Sequence, residues 1–192
     1  MTPTMFKKFR RWLAVFFDDV SGKPVSYEDR DVVIGLTRYR VLQGRTLDIH
    51  ALLKMEREIY GSMPWDRTSF EIDMERPDSL YLILVDCETQ AMVAFIGTNF
   101  NYYARDVHIS NIGVLPAFQM HGLGTFLIKE IERKAVRDNF SSLSLEVRRS
   151  NKYAQRLYHH LGFITTQVRH HYYLDNGEDA FEMLKKLDHE RK

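Results

Sequence analysis

The feature that most constrains this chain is the run Val114-Leu115-Pro116-Ala117-Phe118-Gln119-Met120-His121-Gly122-Leu123-Gly124, which joins an apolar strand pattern directly to an amphipathic helix pattern. Gly122 and Gly124 remove two side chains where the backbone turns inward, so successive N–H groups can converge on an anion at the positive end of the following helix. A diphosphate suits such a cradle. A dinucleotide-binding turn would want a further glycine at position 127, which is Leu127, and a P-loop would want Lys-Ser/Thr after the last glycine, where Thr125-Phe126 stands. Taken by itself, the run is also compatible with a glycine-rich turn that serves folding alone.

The periodicity on either side sets the frame. Val32 to Leu42 predicts one strand, and Thr46 is placed to cap a helix carrying Ile49, Leu52, Leu53 and Ile59 on one face. Gly61 and Pro64 interrupt before a second short helix near Arg67 to Met74. Leu80 to Val85 and Met92 to Gly97 predict a β-hairpin around the polar turn at Asp86 to Gln90. There follow a strand at Val107 to Val114, a helix from about Thr125 to Arg137, a strand at Leu143 to Val147, a helix through Leu157, and strands near Val168 to Tyr173 and Phe181 to Leu187. Antiparallel strands followed by a β-α-β-α-β run predict a mixed sheet with helices on both faces, an α/β (α+β) domain.

At 192 residues there is room for one domain and a modest appendage. The division expected is a basic amphipathic extension over residues 1–30 and the domain over 31–192. Within the extension Phe6, Phe9, Leu13, Phe16 and Phe17 recur at helical spacing among Lys7, Lys8, Arg10 and Arg11. Residues 6–17 could therefore dock on an anionic membrane or on the ribosome, or pack on the domain itself or on a second copy. The apolar run Trp12 to Phe17 ends at Asp18-Asp19, too short for a signal core or a membrane span. Overall, 27 Lys plus Arg against 26 Asp plus Glu leave no global attraction to DNA or membrane. The lone Cys87 excludes an internal disulfide and fits a reducing, cytoplasmic setting. Adjacent histidines at 159–160 and 170–171 point apart on a helix or strand, so no metal set is expected.

Beyond the loop, Leu145-Glu146-Val147-Arg148, Ser150-Asn151, Leu157-Tyr158 and Leu161-Gly162-Phe163 follow in order. Together with Gln119-x-x-Gly122-x-Gly124, this series resembles the GNAT superfamily of N-acetyltransferases, and within it the ribosomal-protein alanine N-acetyltransferase (RimI) family. Pro64-Trp65, Phe70 and the tail Arg169-His170-His171-Tyr172-Tyr173 with Gly177-Glu178-Asp179-Ala180 are similar too. The resemblance covers roughly Tyr39 to Leu187. It implies the GNAT fold, a mixed, mostly antiparallel central sheet flanked by helices on both faces. It also implies acetyl-CoA as donor, no metal, and the N-terminal α-amine of a protein, a ribosomal protein for RimI, as acceptor. Two departures stand out. Only His121 can supply positive charge where family loops usually carry a basic residue at the Met120 or His121 position, and Leu115 replaces a common acidic residue.

Carried over by position, the coenzyme arm meets the backbone of Ile112, Gly113 and Val114, the diphosphate meets Gln119, Met120, His121, Gly122, Leu123, Gly124 and Thr125, and Asn151 holds the arm from the other side. Asn151 is equally natural as a plain N-cap. The resemblance makes Glu146 the general base and Tyr158 the general acid. Read from the residues alone, Glu146 is a polar residue on the strand face opposite Leu143, Leu145 and Val147, free to pair with Arg148 or a neighbour, and Tyr158 is compatible with a core tyrosine. Pro64, Trp65, Arg169, Tyr172 and Tyr173 are the expected peptide contacts, or else simply cover the sheet. Acetylation of lysine or of a small amine, and non-catalytic sensing of acyl-CoA, remain open as alternatives on this fold.

Overall fold

The computed structural model describes residues 24–61 and 65–188, so residues 1–23 of the expected extension, with the segment 6–17, and Pro64 lie outside the described residues. Eight strands form one sheet in the order β1-β2-β3-β4-β5-β6-β8-β7. Strands β1 (Arg30–Ile34) and β2 (Thr37–Gln43) are a hairpin, not the single strand expected from Val32 to Leu42. The break is Gly35, whose φ of 62° supplies the left-handed residue that a two-residue hairpin turn needs. Upstream of β1, Val25 is buried in the core and donates its N–H to the Pro77 carbonyl, so packing of the body starts before Asp31.

Helix α1 (Ile49–Tyr60) follows a 3₁₀ turn at Thr46–Asp48. Thr46 opens that turn and does not cap the helix; Asp48 Oδ2 accepts the Arg45 N–H at 2.8 Å and closes the corner. Helix α2 (Arg67–Met74) is capped by Asp66, whose carboxylate accepts the Ser69 N–H at 2.8 Å. The expected hairpin forms from β3 (Ser79–Asp86) and β4 (Met92–Asn101), with Asp86 Oδ1 accepting the amides of Glu88 and Thr89 at the turn.

Both hairpin strands are buried along nearly their whole length because each sheet face is covered. Ile49, Leu52, Met55 and Phe70 from α1 and α2 pack on Tyr81, Ile83 and Phe95. On the other face, α3 (Leu123–Arg137) lays Leu123, Leu127, Ile128 and Ile131 over Leu80, Leu82, Leu84 and Ile96, joined by Tyr158 and Leu161 from α4 (Lys152–His160) and its end. Each of these fully buried aliphatic side chains contributes roughly 1.5–3 kcal/mol.

The junction of β5 (Asp106–Val114) with β6 (Ser142–Arg148) positions the site. It is the parallel pairing in the sheet, and it covers only Asp106↔Ser142 through Ile109↔Leu145. At Ser110 a bulge shifts β5 against β4, so that Gly97 faces Asn111 while Thr98 faces Ile109. Beyond the bulge β5 stays with β4, and β6 stays with β8 (Ala180–Lys186) as far as Arg148. The two strands part, leaving a gap in mid-sheet. The last edge is β7 (Ile164–Arg169); the expected strand over Val168 to Tyr173 is displaced, because Asp179 Oδ1 takes the His171 N–H at 3.0 Å and the chain turns there with His171 at φ 51°.

Candidate active site

The loop at the mouth of the gap is shaped by its own backbone. Pro116–Phe118 make a 3₁₀ turn, Leu115 N–H donates to Val93 at 2.9 Å, and the Gln119 side chain folds back to donate to the Val114 carbonyl at 3.1 Å. Gly122 caps α3 with φ 83°, a conformation that disfavours any residue with a Cβ. Phe126 N–H returns to the Gly122 carbonyl at 2.9 Å, whereas among the described residues no group accepts the amides from Met120 to Thr125. These donors sit at the positive end of a four-turn helix. A Cβ on Gly124 would meet nothing closer than Leu157 and Val114 at 3.8 Å, so folding alone does not require a glycine there. The donors and the open space fit the diphosphate of coenzyme A.

The splayed part of β5 offers a second set of groups. Because Leu115 donates to Val93, the antiparallel alternation directs the polar backbone groups of Gly113 and Leu115 to β4 and those of Ile112 and Val114 into the gap. Gly113 is therefore not a polar contact of an arm lying in the gap, contrary to expectation. Its missing side chain makes room for Phe95 and Ile59, which a Cβ would approach to 2.7 and 2.8 Å. The Ile112 carbonyl accepts the Tyr60 hydroxyl at 2.9 Å. Asn151 is an N-cap, its Oδ1 accepting the Ala154 N–H at 3.0 Å, which leaves its amide hydrogens for an arm in the gap.

Glu146 projects from β6 on the face away from Leu145 and Val147, its side chain 8% exposed. It does not pair with Arg148, which stacks on the Tyr173 ring at 3.8 Å and bonds Asp175 and Glu178. Its partners are His108 Nε2 at 3.2 Å and Arg169 Nε at 3.5 Å, with a hydrogen bond from Tyr172. Burial alone would raise the Glu146 carboxyl, but His108, Arg169 and Tyr172 outweigh it and hold it below the usual carboxylate range. Tyr158 comes from the opposite sheet face and packs on Phe163 with ring centroids 5.8 Å apart. Burial pushes its phenol up to about 12, so the hydroxyl keeps its proton at neutral pH. Tyr173 lies within electrostatic reach of both Glu146 and Tyr158, and Tyr60 within reach of Tyr158 and Tyr173, so the parted strands bring base and acid candidates to one cleft.

The sequence profile of the acetyltransferase (GNAT) family matches residues 48–163, the stretch that builds α1, the parted strands, the loop and α4. The chain belongs to that family. The putative [ribosomal protein bS18]-alanine N-acetyltransferase of Bacillus subtilis is 32% identical over 148 residues, covering 77% of this chain and 95% of that protein. The [ribosomal protein bS18]-alanine N-acetyltransferase of Escherichia coli K12 is 32% identical over 141 residues, 72% of this chain and 90% of that one. The crystal structure of the Escherichia coli ribosomal-protein-S18-alanine N-acetyltransferase superposes with a TM-score of 0.70 at 28% identity, covering 78% of this chain and 94% of that one.

The remaining expected residues of this GNAT protein are placed differently from a simple peptide groove. Arg169 is engaged by carboxylates, donating to Glu182 at 2.8 Å as well as facing Glu146, so it shapes the field around Glu146. Tyr172 and Tyr173 pack edge to face at 5.1 Å in the turn after β7. Trp65 stacks near Phe70 at 5.3 Å, and its N–H donates to Glu56. Three residues of the cleft were not anticipated. Glu56 is fully buried, bonded by Trp65 N–H and Asn111 Nδ2, with its carboxyl raised by burial against those two bonds. Tyr60 and His108 complete the ring. Among the described residues no cluster of His, Cys, Asp or Glu is arranged to hold a metal, and no helix is long and apolar enough to cross a membrane.

Proposed function

We propose that this N-acetyltransferase moves acetyl from acetyl-CoA to the N-terminal α-amine of a protein, a ribosomal protein in keeping with its RimI relatives. The observation that supports this reading is the gap between β5 and β6, with unsatisfied amides at its mouth and with Glu146 and Tyr158 both within electrostatic reach of Tyr173. Acetyl-CoA supplies the acetyl group as an activated thioester. Residues Met120 to Thr125 would hold the diphosphate through backbone N–H groups, and Ile112, Val114 and Asn151 would hold the arm. The Val114 N–H, directed into the gap, is the natural donor to a carbonyl oxygen that gains charge.

Glu146 would draw a proton from the incoming ammonium, directly or through one water, so that the nitrogen lone pair is free as the N–C bond forms and the C–S bond breaks. Because its neighbours depress its proton affinity, Glu146 is better matched to an amine that loses its proton easily. An α-amine has a pKa of roughly 7.7–8.0 against about 10.4 for lysine, which is near 3.4 kcal/mol in deprotonation. Tyr158 would donate a hydrogen bond to the departing sulfur. Trp65, Tyr172 and Tyr173 would wall the cleft for the first residues of the peptide. The test is thiol release from acetyl-CoA on an Ala-starting peptide with a free N-terminus, against the same peptide blocked at its N-terminus. Turnover on the free peptide alone is the expected result; equal turnover on both, carried by an internal lysine, would overturn it, and binding without turnover would make the protein a sensor.

A further inference from the structure

His108 is a direct partner of the proposed base, yet the transfer as proposed so far gives it no task. It sits on β5 opposite Ser144 of β6 and is buried. Its Nδ1 lies 3.0 Å from Ser144 Oγ and its Nε2 3.2 Å from Glu146 Oε2. Ser144 has one hydroxyl hydrogen, and it donates that hydrogen to Asp106 Oδ2. Toward His108 it can only accept, so Nδ1 carries a hydrogen. An ionised Glu146 can also only accept, so Nε2 carries one too. Two hydrogen-bearing ring nitrogens make a cation.

The alternative arrangement moves one proton along the 3.2 Å contact, giving a neutral imidazole and a protonated Glu146. The largest charged influences on the pair among the described residues oppose that move. On the Glu146 side stand Arg169 from β7 and the Tyr172 hydroxyl, both favouring the carboxylate, with Glu182 of β8 neutralised by Arg169. On the His108 side stand Asp106 from β5 and Asp73 from α2, both favouring the cation. Burial disfavours the charge on His108, and Glu146, Asp106 and Asp73 outweigh it, which leaves the ring above the ordinary histidine range.

We propose that His108 is a positioning residue of the acetyl transfer, an imidazolium clamped between Ser144 and Glu146 that keeps the buried base ionised and aimed into the gap. The role rests on the reading of Glu146 as base. The same cation offsets the cost of burying the Glu146 carboxylate, whose side chain is 8% exposed.

Two measurements test this. In the resting protein, ring-nitrogen NMR at pH 7 is expected to show both nitrogens of His108 protonated, and Glu146→Gln to lower the midpoint of the ring by about one pH unit or more. A ring with one proton at pH 7 overturns the proposal, and this readout needs neither turnover nor a His108 variant that folds. In turnover, His108→Gln keeps a donor toward Glu146 but removes the charge. Its acid limb in kcat on the free Ala-peptide is expected about one pH unit or more above that of the wild type, with part of the activity returning as pH rises. The peptide amine is common to both proteins, so the displacement reports on Glu146. An unmoved limb with an active wild type sinks the role of His108 alone, whereas a wild type that acetylates no amine sinks the parent reading.

Discussion

Replacing Tyr158 by Phe separates a proton donor from a core aromatic, and the structure sets the size of the effect. The phenol is pushed up to about 12 by burial, whereas a thiol titrates near ~8.5. Full transfer of the phenolic proton to a departing thiolate is therefore uphill by about 3.5 units, or roughly 4.8 kcal/mol. In the proposed transfer Tyr158 would therefore act as a hydrogen-bond donor to charge that develops on sulfur and would keep its proton. A hydrogen bond to a charged group is worth about 1.5–3 kcal/mol, so Tyr158→Phe should lower kcat by roughly 10- to 150-fold. The KM for acetyl-CoA should stay within about threefold if the donor acts in the transition state. The fold should not suffer, because no described residue bonds the hydroxyl and the ring contact with Phe163 is kept. Thiol release measured at saturating substrates, beside a thermal melt, checks both halves. A kcat within threefold of wild type would mean that the hydroxyl takes no part, and a loss beyond about 10⁴ would mean that full proton transfer is required after all.

Glu146→Gln should lower kcat by roughly 10²-fold or more while acetyl-CoA affinity, read by calorimetry, is retained; wild-type turnover at subsaturating peptide would refute its assignment as base. The two loop glycines should separate cleanly. Gly122→Ala, at φ 83°, should lose about 1–2 kcal/mol of stability in a denaturant titration, whereas Gly124→Ala should melt like wild type and raise the KM for acetyl-CoA about tenfold. Glu178 accepts hydrogen bonds from Ser150 and Arg148, which hold its carboxyl at about 2 against 4.5 for the free side chain. A depressed carboxylate adds stability above the unfolded value and loses it as pH falls through the folded one, so the turn over residues 170–179 should stay closed at pH 4 and open near pH 2. Amide exchange at Ser150 and across that turn reads this directly, and equal protection at both values would refute it.

What the sequence disclosed was what is local. The loop, α3 and the β3–β4 hairpin follow from glycine placement, helical periodicity and a polar turn, all within a few residues of one another. The hairpin at Gly35 was lost because a two-residue turn barely interrupts the apolar pattern of Val32 to Leu42. The aromatic stretch Tyr172-Tyr173 suggests a strand by composition, but backbone and side-chain bonds to Asp179 and Glu178 fold it into a turn. Glu56 had a signal: it lies on the same helical face as Ile49, Leu52, Leu53 and Ile59, an odd place for a carboxylate. His108 had half of one. Asp106-x-His108 and Ser142-x-Ser144-x-Glu146 each alternate polar with apolar, but only the parallel register of β5 on β6 sets His108 beside Ser144 and Glu146. That register joins residues more than thirty positions apart, which no short window can see.

The short seam between β5 and β6 divides the sheet into a five-stranded block and a three-stranded block held by pairing from Asp106 to Ile109. Whatever fills the wedge above that seam takes the place of ladder bonds the two blocks do not make with each other. Ligand occupancy and mechanical cohesion are thereby coupled, and the folded state gains RT ln(1 + [L]/Kd) from a molecule lodged there. A substrate lodged there would double as a staple.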